Sequence, residues 1–550
     1  MNIHTIEKIE KKALKSSQND FLRLGMAFAF MALVLWYAFG INAGAQNQAF
    51  LAIAALFGAY MALNIGANDV ANNVGPAVGS KALTMGGAII IAAIFEASGA
   101  LIAGGDVVST IKKGIIDPSQ FVDVSQFIWA MTSALLAGGL WLNIATKVGA
   151  PVSTTHSIVG GVMGGGIAAA GFGIVSWGTM GKIAASWIIS PVLGGVIAAL
   201  FLFTIKKTIL YKENRLAAMN KMVPIYVSLM SFAFATYLTL KGLKKIWPSI
   251  VDTFNAISPI AVEMTKKPTL THGLTIGLIT AVITFVIVKP MVKKASAKLD
   301  NTAKDANSLF TIPLIFAAAL LSFAHGANDV ANAIGPLAAV ADAVQNAGIS
   351  SKASIPIWVM LVGAIGISLG LALYGPKLVR TVGSEITELN QIRAYSVAMA
   401  AAITVIIASQ LGLPVSSTHI AIGGIFGVGF LREFLSTTTA QERIEAEEQK
   451  IKEDKKIKKS YKVELKELKE LKAKEMSSDD DKARIKELKE LIKEEEAVIK
   501  SEKKHLKRAK KAKYVKRSAI MKIVAAWVIT VPAAALLSAA IFYIIEGIMS

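Results

Sequence analysis

Long uncharged apolar stretches recur along the chain between short polar loops, and many approach the roughly 20 residues that a helix needs to cross a hydrocarbon core. The first runs from Leu24 to about Ile41, and others fall near 50–65, 87–105, 127–146, 152–172, 183–205, 222–240, 269–288 and 309–324. A second set covers about 355–375, 394–412, 415–431 and 518–548, and the interval 326–345 between the sets is Gly-rich and poor in bulky side chains. The pattern predicts about 12 crossings. Nothing alternates in the segments of about 10 residues that an outer-membrane barrel uses. The expected fold class is therefore all-α integral membrane.

Polar segments mark the exceptions. Lys8, Lys11, Lys12 and Lys15 precede the first apolar run. Ala43-Gly44-Ala45 resembles a cleavage site, but the run exceeds the core of about 7–15 residues typical of a secretory signal, so an uncleaved helix with a cytoplasmic N-terminus is expected. Residues 432–517 are dense in Lys and Glu and cannot lie in lipid. There Ile451, Ile457, Tyr461, Leu465 and Leu468 keep near-helical spacing up to Ser477-Ser478-Asp479-Asp480-Asp481, and Ile485, Leu488, Ile492, Ile499 and Leu506 resume it. That predicts a soluble antiparallel helical hairpin, either a solvated pair laced by Glu/Lys contacts or an arm that docks a partner.

Composition narrows the class. Hydrophobic residues make up 54% of the chain and charged ones 17%, with mean hydropathy +0.54, which is more apolar than a soluble domain can hide in its core. The net charge of +20 does not point to nucleic acid, because the basic residues lie in loops, in the N-terminal tail and in the charged segment. Without cysteine there are no disulfides or thiolate ligands. No GxxxxGK[ST] loop occurs, so ATP-driven transport by this chain is unsupported and no enzyme is expected.

The chain also repeats itself. GANDVAN occurs at Gly66–Asn72 and unchanged at Gly326–Asn332, each time followed after two residues by Gly-Pro; PVSTTH at Pro151–His156 returns as PVSSTH at Pro414–His419. KIAASWIIS from Lys182 and KIVAAWVIT from Lys522 form a third pair, and its wider spacing places an insertion between Pro414 and Lys522, where the charged segment lies. One unit is present twice. An odd number of candidate crossings separates the GANDVAN copies and inverts the second, the plan of many transporters. The expected divisions are a tail and extra helix (1–46), a first repeat (47–205), connecting helices (206–308), a second repeat (309–431), the charged hairpin (432–517) and a final helix that completes the second repeat (518–550).

Asn68, Asp69, Asn72 and their copies Asn328, Asp329, Asn332 sit in apolar sequence, where an ionised carboxylate needs a cation, a proton or a water-filled cavity. The flanking Gly66, Gly75, Pro76 and Gly326, Gly335, Pro336 disfavour a continuous helix, so these motifs are expected at hairpin tips. PVSTTH and PVSSTH have the chemistry of helix starts, with the hydroxyls of Ser153, Thr154, Ser416 and Ser417 beside amides that lack intrahelical partners. Taken singly, the Ser/Thr motifs read as ordinary capping or small-residue packing and GANDVAN as a Gly-rich helix contact with one buried Asp; together and duplicated, they outline a site. Carboxylates, hydroxyls and amides without convergent Arg or Lys suit a partly protonated oxyanion that donates to Asp and accepts from Ser and Thr. Hydrogen phosphate fits, whereas sulfate has no proton to donate at neutral pH. His156, His325 and His419 can each carry a proton or bond to nearby backbone. Glu96 is an isolated acid suited to cation pairing or gating, and Lys147 near a helix end can snorkel.

At these motifs the chain resembles the PiT family of inorganic phosphate transporters, over roughly residues 47–431 and the last helix from Lys522. The resemblance implies cation-coupled phosphate uptake by two inverted repeats whose re-entrant hairpins meet at a central site, with sodium as co-substrate and no other cofactor. Carried over, Asp69, Asn72, Ser153, Thr154, Asp329, Asn332, Ser416 and Ser417 surround phosphate, and Asn68, Asp69, Thr155, Asn328, Asp329 and Thr418 hold sodium. Two departures stand out: PVSSTH replaces the usual PVSTTH, and Ala398 stands where several relatives carry a glutamate, which leaves Glu96 without a symmetry mate. Relatives use sodium, or protons with metal-phosphate complexes. A sulfate carrier on the same scaffold, a channel and a membrane scaffold presenting its hairpin are the competing classes. The expected location is the cell (inner) membrane, multi-pass, with the N-terminus and the charged hairpin cytoplasmic. The reading leaves room for a homo-oligomer and for a partner at 432–517.

Overall fold

The computed structural model describes residues 3–41, 44, 47–148, 152–244, 246–258, 265–346, 355–384, 389–473, 478–510 and 517–549. Ala43, Ala45, Pro151 and Ser477 lie outside the described residues, as do the side chains of Lys8, Lys11, Lys12, Lys15, Leu506 and Lys522.

Helices dominate. An N-terminal helix α1 (Ile3–Ile41) precedes the first copy of the repeat: α2 (Gln48–Asn68), α3 (Val70–Gly79), α4 (Met85–Ala103), α5 (Gly105–Lys113), α6 (Val124–Val148), α7 (Thr154–Ala170) and α8 (Trp177–Ile205). Connecting helices follow as α9 (Arg215–Tyr237), α10 (Trp247–Ile257), α11 (Leu270–Ser296) and α12 (Ala303–Ser308). The second copy comprises α13 (Thr311–Gln345), α14 (Ile357–Ser384), α15 (Gln391–Gln410), α16 (Ser417–Ala473) and α18 (Arg517–Met549), with α17 (Asp479–Lys510) inserted before the last of these. Twelve stretches among the described residues are long and apolar enough to cross a membrane, which matches the expected number. The candidate 152–172 is not among them, because α7 has 17 residues and reaches only about 25 Å at 1.5 Å per residue.

The repeat symmetry is visible in the closest helix contacts. A Cβ built on Gly160 would lie 2.5 Å from the Val531 carbonyl oxygen, and one on Gly164 would lie 2.1 Å from that of Ala535. In the other copy the same approach joins Gly423 to the Pro191 carbonyl (2.2 Å) and Gly427 to that of Gly195 (2.0 Å). These residues keep the spacings of the repeated motifs. Helix α7 of the first copy thus packs on α18 of the second, and α16 packs on α8, so the copies exchange their terminal helices. Only glycine lets backbones come this close, and small residues are the usual means of tight packing in lipid.

One expectation is corrected. Neither GANDVAN motif forms a hairpin tip: α2 gives way to α3 at Asp69 with a helical backbone retained, and α13 runs through Gly326–Asn332 without a break. Pro76 and Pro336 lie inside helices, where packed neighbours re-satisfy the backbone. The glycines serve approach rather than turning. A Cβ on Gly326 would meet the Glu96 carbonyl oxygen at 2.2 Å, and one on Gly66 that of Ile367 at 1.9 Å. The hairpins are instead α6–α7 and α15–α16, with the Ser/Thr motifs at their tips.

Gly429–Lys516 forms a separate compact unit. Its helices run antiparallel, as Lys450–Glu502 (3.0 Å), Lys458–Glu496 (2.7 Å) and Arg484–Glu464 (2.8 Å) show. Exposed ion pairs add little. The seam is held by buried Ile451, Ile485, Leu488 and Ile499, while Ile457 is 40% exposed and stands outside it.

Candidate functional site

The ends of α6 and α15 and the starts of α7 and α16 converge on the GANDVAN segments of α2 and α13. Asn68 Nδ2 donates to Thr146 Oγ1 (2.9 Å) near the end of α6. In the other copy Asn328 Nδ2 donates to Ser409 Oγ (3.0 Å) and to the Leu413 carbonyl (3.2 Å). Ser153 caps α7, its Oγ accepting from His156 N at 3.1 Å, and Ser416 caps α16, its Oγ accepting from His419 N at 3.2 Å. Those two hydroxyl oxygens are committed to holding helix ends. Behind each cap the first-turn amides have no intrahelical acceptor and the positive end of the helix dipole is directed at the tip.

The next residues tie the copies together. Thr154 Oγ1 donates to Asp69 Oδ2 at 2.6 Å, lies 3.5 Å from Asp329 Oδ2, and accepts from Asn332 Nδ2 at 3.1 Å. Thr418 Oγ1 is 3.1 Å from Asp69 Oδ1 and accepts from Asn72 Nδ2 at 2.7 Å. Ser417 Oγ donates to Asp329 Oδ2 at 3.2 Å. Thr155 accepts from Asn332 Nδ2 (3.0 Å) and donates to the Val415 carbonyl (2.9 Å) of the opposite tip. The eight residues singled out around phosphate and the four more singled out around sodium are thus gathered in one place, each 2% exposed or less.

The amide oxygens Oδ1 of Asn68, Asn72, Asn328 and Asn332, together with Oδ1 of Asp329, are buried without a hydrogen-bond donor. Buried acceptors are nearly always satisfied, and leaving one bare costs about 1–3 kcal/mol. A set of bare oxygens is the donor chemistry of hard cations.

Glu96, also fully buried, belongs to the same network. It accepts from Asn73 Nδ2 at 2.7 Å and pairs with His325 Nδ1 at 2.6 Å, while His325 Nε2 lies 3.0 Å from Asp329 Oδ2. Asp69, His325 and Asp329 offer ligand atoms within 4.8 Å of one another. The close approach of Gly326 to the Glu96 carbonyl is what places α4 against α13 here. In the other copy Ile367 occupies the equivalent position against Gly66. Ile367 on α14 is therefore the symmetry mate of Glu96, and Ala398, buried on α15, is not.

His156 and His419 stand beside one another at the two tips. Their rings meet edge to face at 4.5 Å where the tips touch, and each lies against a tryptophan, His156 on Trp187 at 3.8 Å and His419 on Trp527 at 3.6 Å. Neither ring nitrogen of His419 has a hydrogen-bond partner among the described residues. Lys147 is exposed and takes no part.

Five residues of the network were not singled out from the sequence. Thr146 and Ser409 each stand five residues before the Pro of their motif, and Trp187 and Trp527 lie in the third repeated pair, so symmetry alone could have found them. Asn73 has no such signal, since Ala333 is its counterpart.

The family model "Phosphate transporter family" matches residues 65–538. The chain is 47% identical over 554 residues to a Helicobacter pylori (strain J99) protein named "Putative phosphate permease", covering 98% of both chains. A Haemophilus influenzae protein of the same name is 40% identical over 382 residues, 69% of this chain and 87% of that one. A solved structure titled "The sodium-dependent phosphate transporter" shares 31% identity and a TM-score of 0.69 over 90% of this chain and 99% of its own. With the repeats, the meeting tips and this match along most of its length, the chain belongs to the phosphate transporter family.

Proposed function

We propose that the protein imports inorganic phosphate by symport with sodium, the two copies of the repeat rocking about the central site in alternating access. The carrying observation is the set of buried, donorless oxygens of Asn68, Asn72, Asn328, Asn332 and Asp329 beside the paired carboxylates. Bringing a phosphate anion next to Asp69 and Asp329 concentrates negative charge in a region shielded from water. Such charge is sustained only with cations or protons. Sodium bound by the amide oxygens, Thr155 and Thr418 supplies the compensation. In this reading phosphate is held by the amides at the starts of α7 and α16 and by Thr154 and Ser417, with the O–H of hydrogen phosphate donating to the Asp69–Asp329 pair. Asn72 and Asn332 complete its surroundings, while Ser153 and Ser416 act by fixing the helix starts.

Proton coupling is a second reading, favoured by the Glu96–His325–Asp329 chain, which links a buried acid to the site through an imidazole. The reading also places the protein in the cell membrane with its N-terminus cytoplasmic, supported by the density of lysine around the α8–α9 connection and at the end of α11.

The test is labelled phosphate uptake into proteoliposomes under imposed sodium, potassium or proton gradients, with Asp69→Asn and Asp329→Asn alongside. Saturable uptake that requires sodium and is lost in both variants is expected. Uptake driven by protons alone replaces the ion, and transport of sulfate without phosphate overturns the substrate assignment.

A further inference from the structure

The connection between α8 and α9 carries a feature built from none of the residues of the central site. Helix α8 ends in a π-helical turn, Lys206–Leu210, and α9 starts at Arg215, so the link is the membrane boundary of two spans, Trp177–Leu210 and Arg215–Gly242. A cavity of about 630 Å³ opens there, lined by Lys207, Tyr211, Lys212, Glu213, Lys221 and Met222 among others. Three lysines therefore converge with a single acid. None of the three forms an ion pair among the described residues, whereas Lys241 and Lys244 elsewhere both pair with Asp106.

Neighbouring contacts make the cavity a built feature of the fold. Arg215 holds the link closed: its Nε donates to the Leu210 carbonyl (2.9 Å) and its Nη1 to the Asn301 carbonyl (3.2 Å). Asn301 Nδ2 in turn donates to the Glu213 carbonyl (2.6 Å). Ser296 Oγ donates to Asn220 Oδ1 (2.7 Å), which brings the basic end of α11 with Lys293 and Lys294 to the same boundary. On the bilayer side the two spans leave Leu200, Phe203, Ile225 and Leu229 exposed, a surface suited to acyl chains. Tyr211 is 61% exposed at the depth where amphipathic rings usually lie.

We propose that this cavity binds the phosphate group of an anionic phospholipid, with Lys207, Lys212 and Lys221 around the headgroup and the acyl chains along the exposed apolar faces of α8 and α9. Basic pockets between spans at the membrane surface have this specificity. A free phosphate ion offers the lysines the same chemistry, but only a lipid also covers the apolar surface below.

The test uses the full chain purified in a neutral detergent and titrated with dioctanoyl phosphatidylglycerol, dioctanoyl phosphatidylcholine or inorganic phosphate, with bound lipid counted by native mass spectrometry. Two variants accompany it: Lys207→Gln/Lys212→Gln/Lys221→Gln, and a charge-matched control in the hairpin, Lys466→Gln/Lys469→Gln/Lys482→Gln. Phosphatidylglycerol is expected to bind more tightly than phosphatidylcholine, and its binding to weaken roughly a hundredfold in the first variant, about fivefold per lysine, with no change in the control. Circular dichroism melting confirms that both variants are folded. Equal binding of the two lipids, or full phosphatidylglycerol binding by the first variant, overturns the assignment. So does displacement by inorganic phosphate of a lipid that binds no better than phosphatidylcholine, which would give the lysines to the free ion.

Discussion

Four hydroxyls that look equivalent in the sequence have different duties in the structure, and two substitutions separate them. Thr154→Val keeps the shape of the side chain and removes its hydroxyl. Asp69 then loses the donor at 2.6 Å, and Asn332 loses its acceptor at 3.1 Å while keeping Thr155 at 3.0 Å. Leaving these buried partners unmatched costs about 1–3 kcal/mol, so kcat/KM for phosphate is expected to fall roughly five- to hundredfold. Ser153→Ala removes a cap whose oxygen, among the described residues, accepts from the α7 backbone alone, at 3.1 Å from His156 N. Its cost is about 1 kcal/mol of helix stability, and it falls on the melting temperature while the carboxylates keep their donors.

Initial rates of phosphate uptake in proteoliposomes, read beside thermal unfolding in detergent by tryptophan fluorescence, give both quantities for each variant. The reasoning fails if Ser153→Ala loses as much uptake as Thr154→Val at unchanged stability, because the cap hydroxyl would then reach the substrate. It fails equally if Thr154→Val transports like the parent protein.

Other expectations follow from the same contacts. Gly326→Ala drives a methyl to 2.2 Å from the Glu96 carbonyl oxygen; overpacking of about 1–3 kcal/mol should lower the melting temperature and disturb the Glu96–His325 pair, seen as reduced uptake. Lys112 and Asp342 form a buried ion pair at 2.9 Å between α5 and α13, so Lys112→Met alone should destabilise the protein by about 3–5 kcal/mol, and Lys112→Met/Asp342→Leu should recover most of it in thermal melts. Replacing residues 436–510 with a Gly/Ser linker should leave uptake at the parental rate, and a loss would show that the charged unit takes part in transport.

The sequence was most legible where symmetry could be used. Repeated motifs picked out the residues that the structure gathers in one place and the position of the insertion, while the exchange of terminal helices emerged only from the structure, where Gly160, Gly164, Gly423 and Gly427 obey the same spacings. It was least legible where one residue type serves two purposes. Gly66 and Gly326 read as helix breakers because glycine is one in isolation, yet here they admit the Ile367 and Glu96 carbonyls against an intact helix. Which use prevails depends on a partner far away in the chain. The same holds for Ser153 and Thr154: adjacent hydroxyls look alike, and only the start of the helix decides that one turns back to the backbone and the other forward to Asp69.

The exchange of helices also explains why the second copy tolerates a long insertion at its present place. In the first copy, residues 171–176 suffice to join α7 to α8, so the scaffold itself needs only a short link there. Each partner of such a link packs closely on a helix other than the one it is joined to, α7 on α18 and α16 on α8. The entropy of closing a loop grows only with the logarithm of its length, about 0.6 kcal/mol per doubling, and most of the insertion is ordered by its own seam of Ile451, Ile485, Leu488 and Ile499. A segment that folds on itself and replaces a link between helices packed on other partners imposes almost nothing on the pore. That is the physical reason for expecting transport to survive its removal.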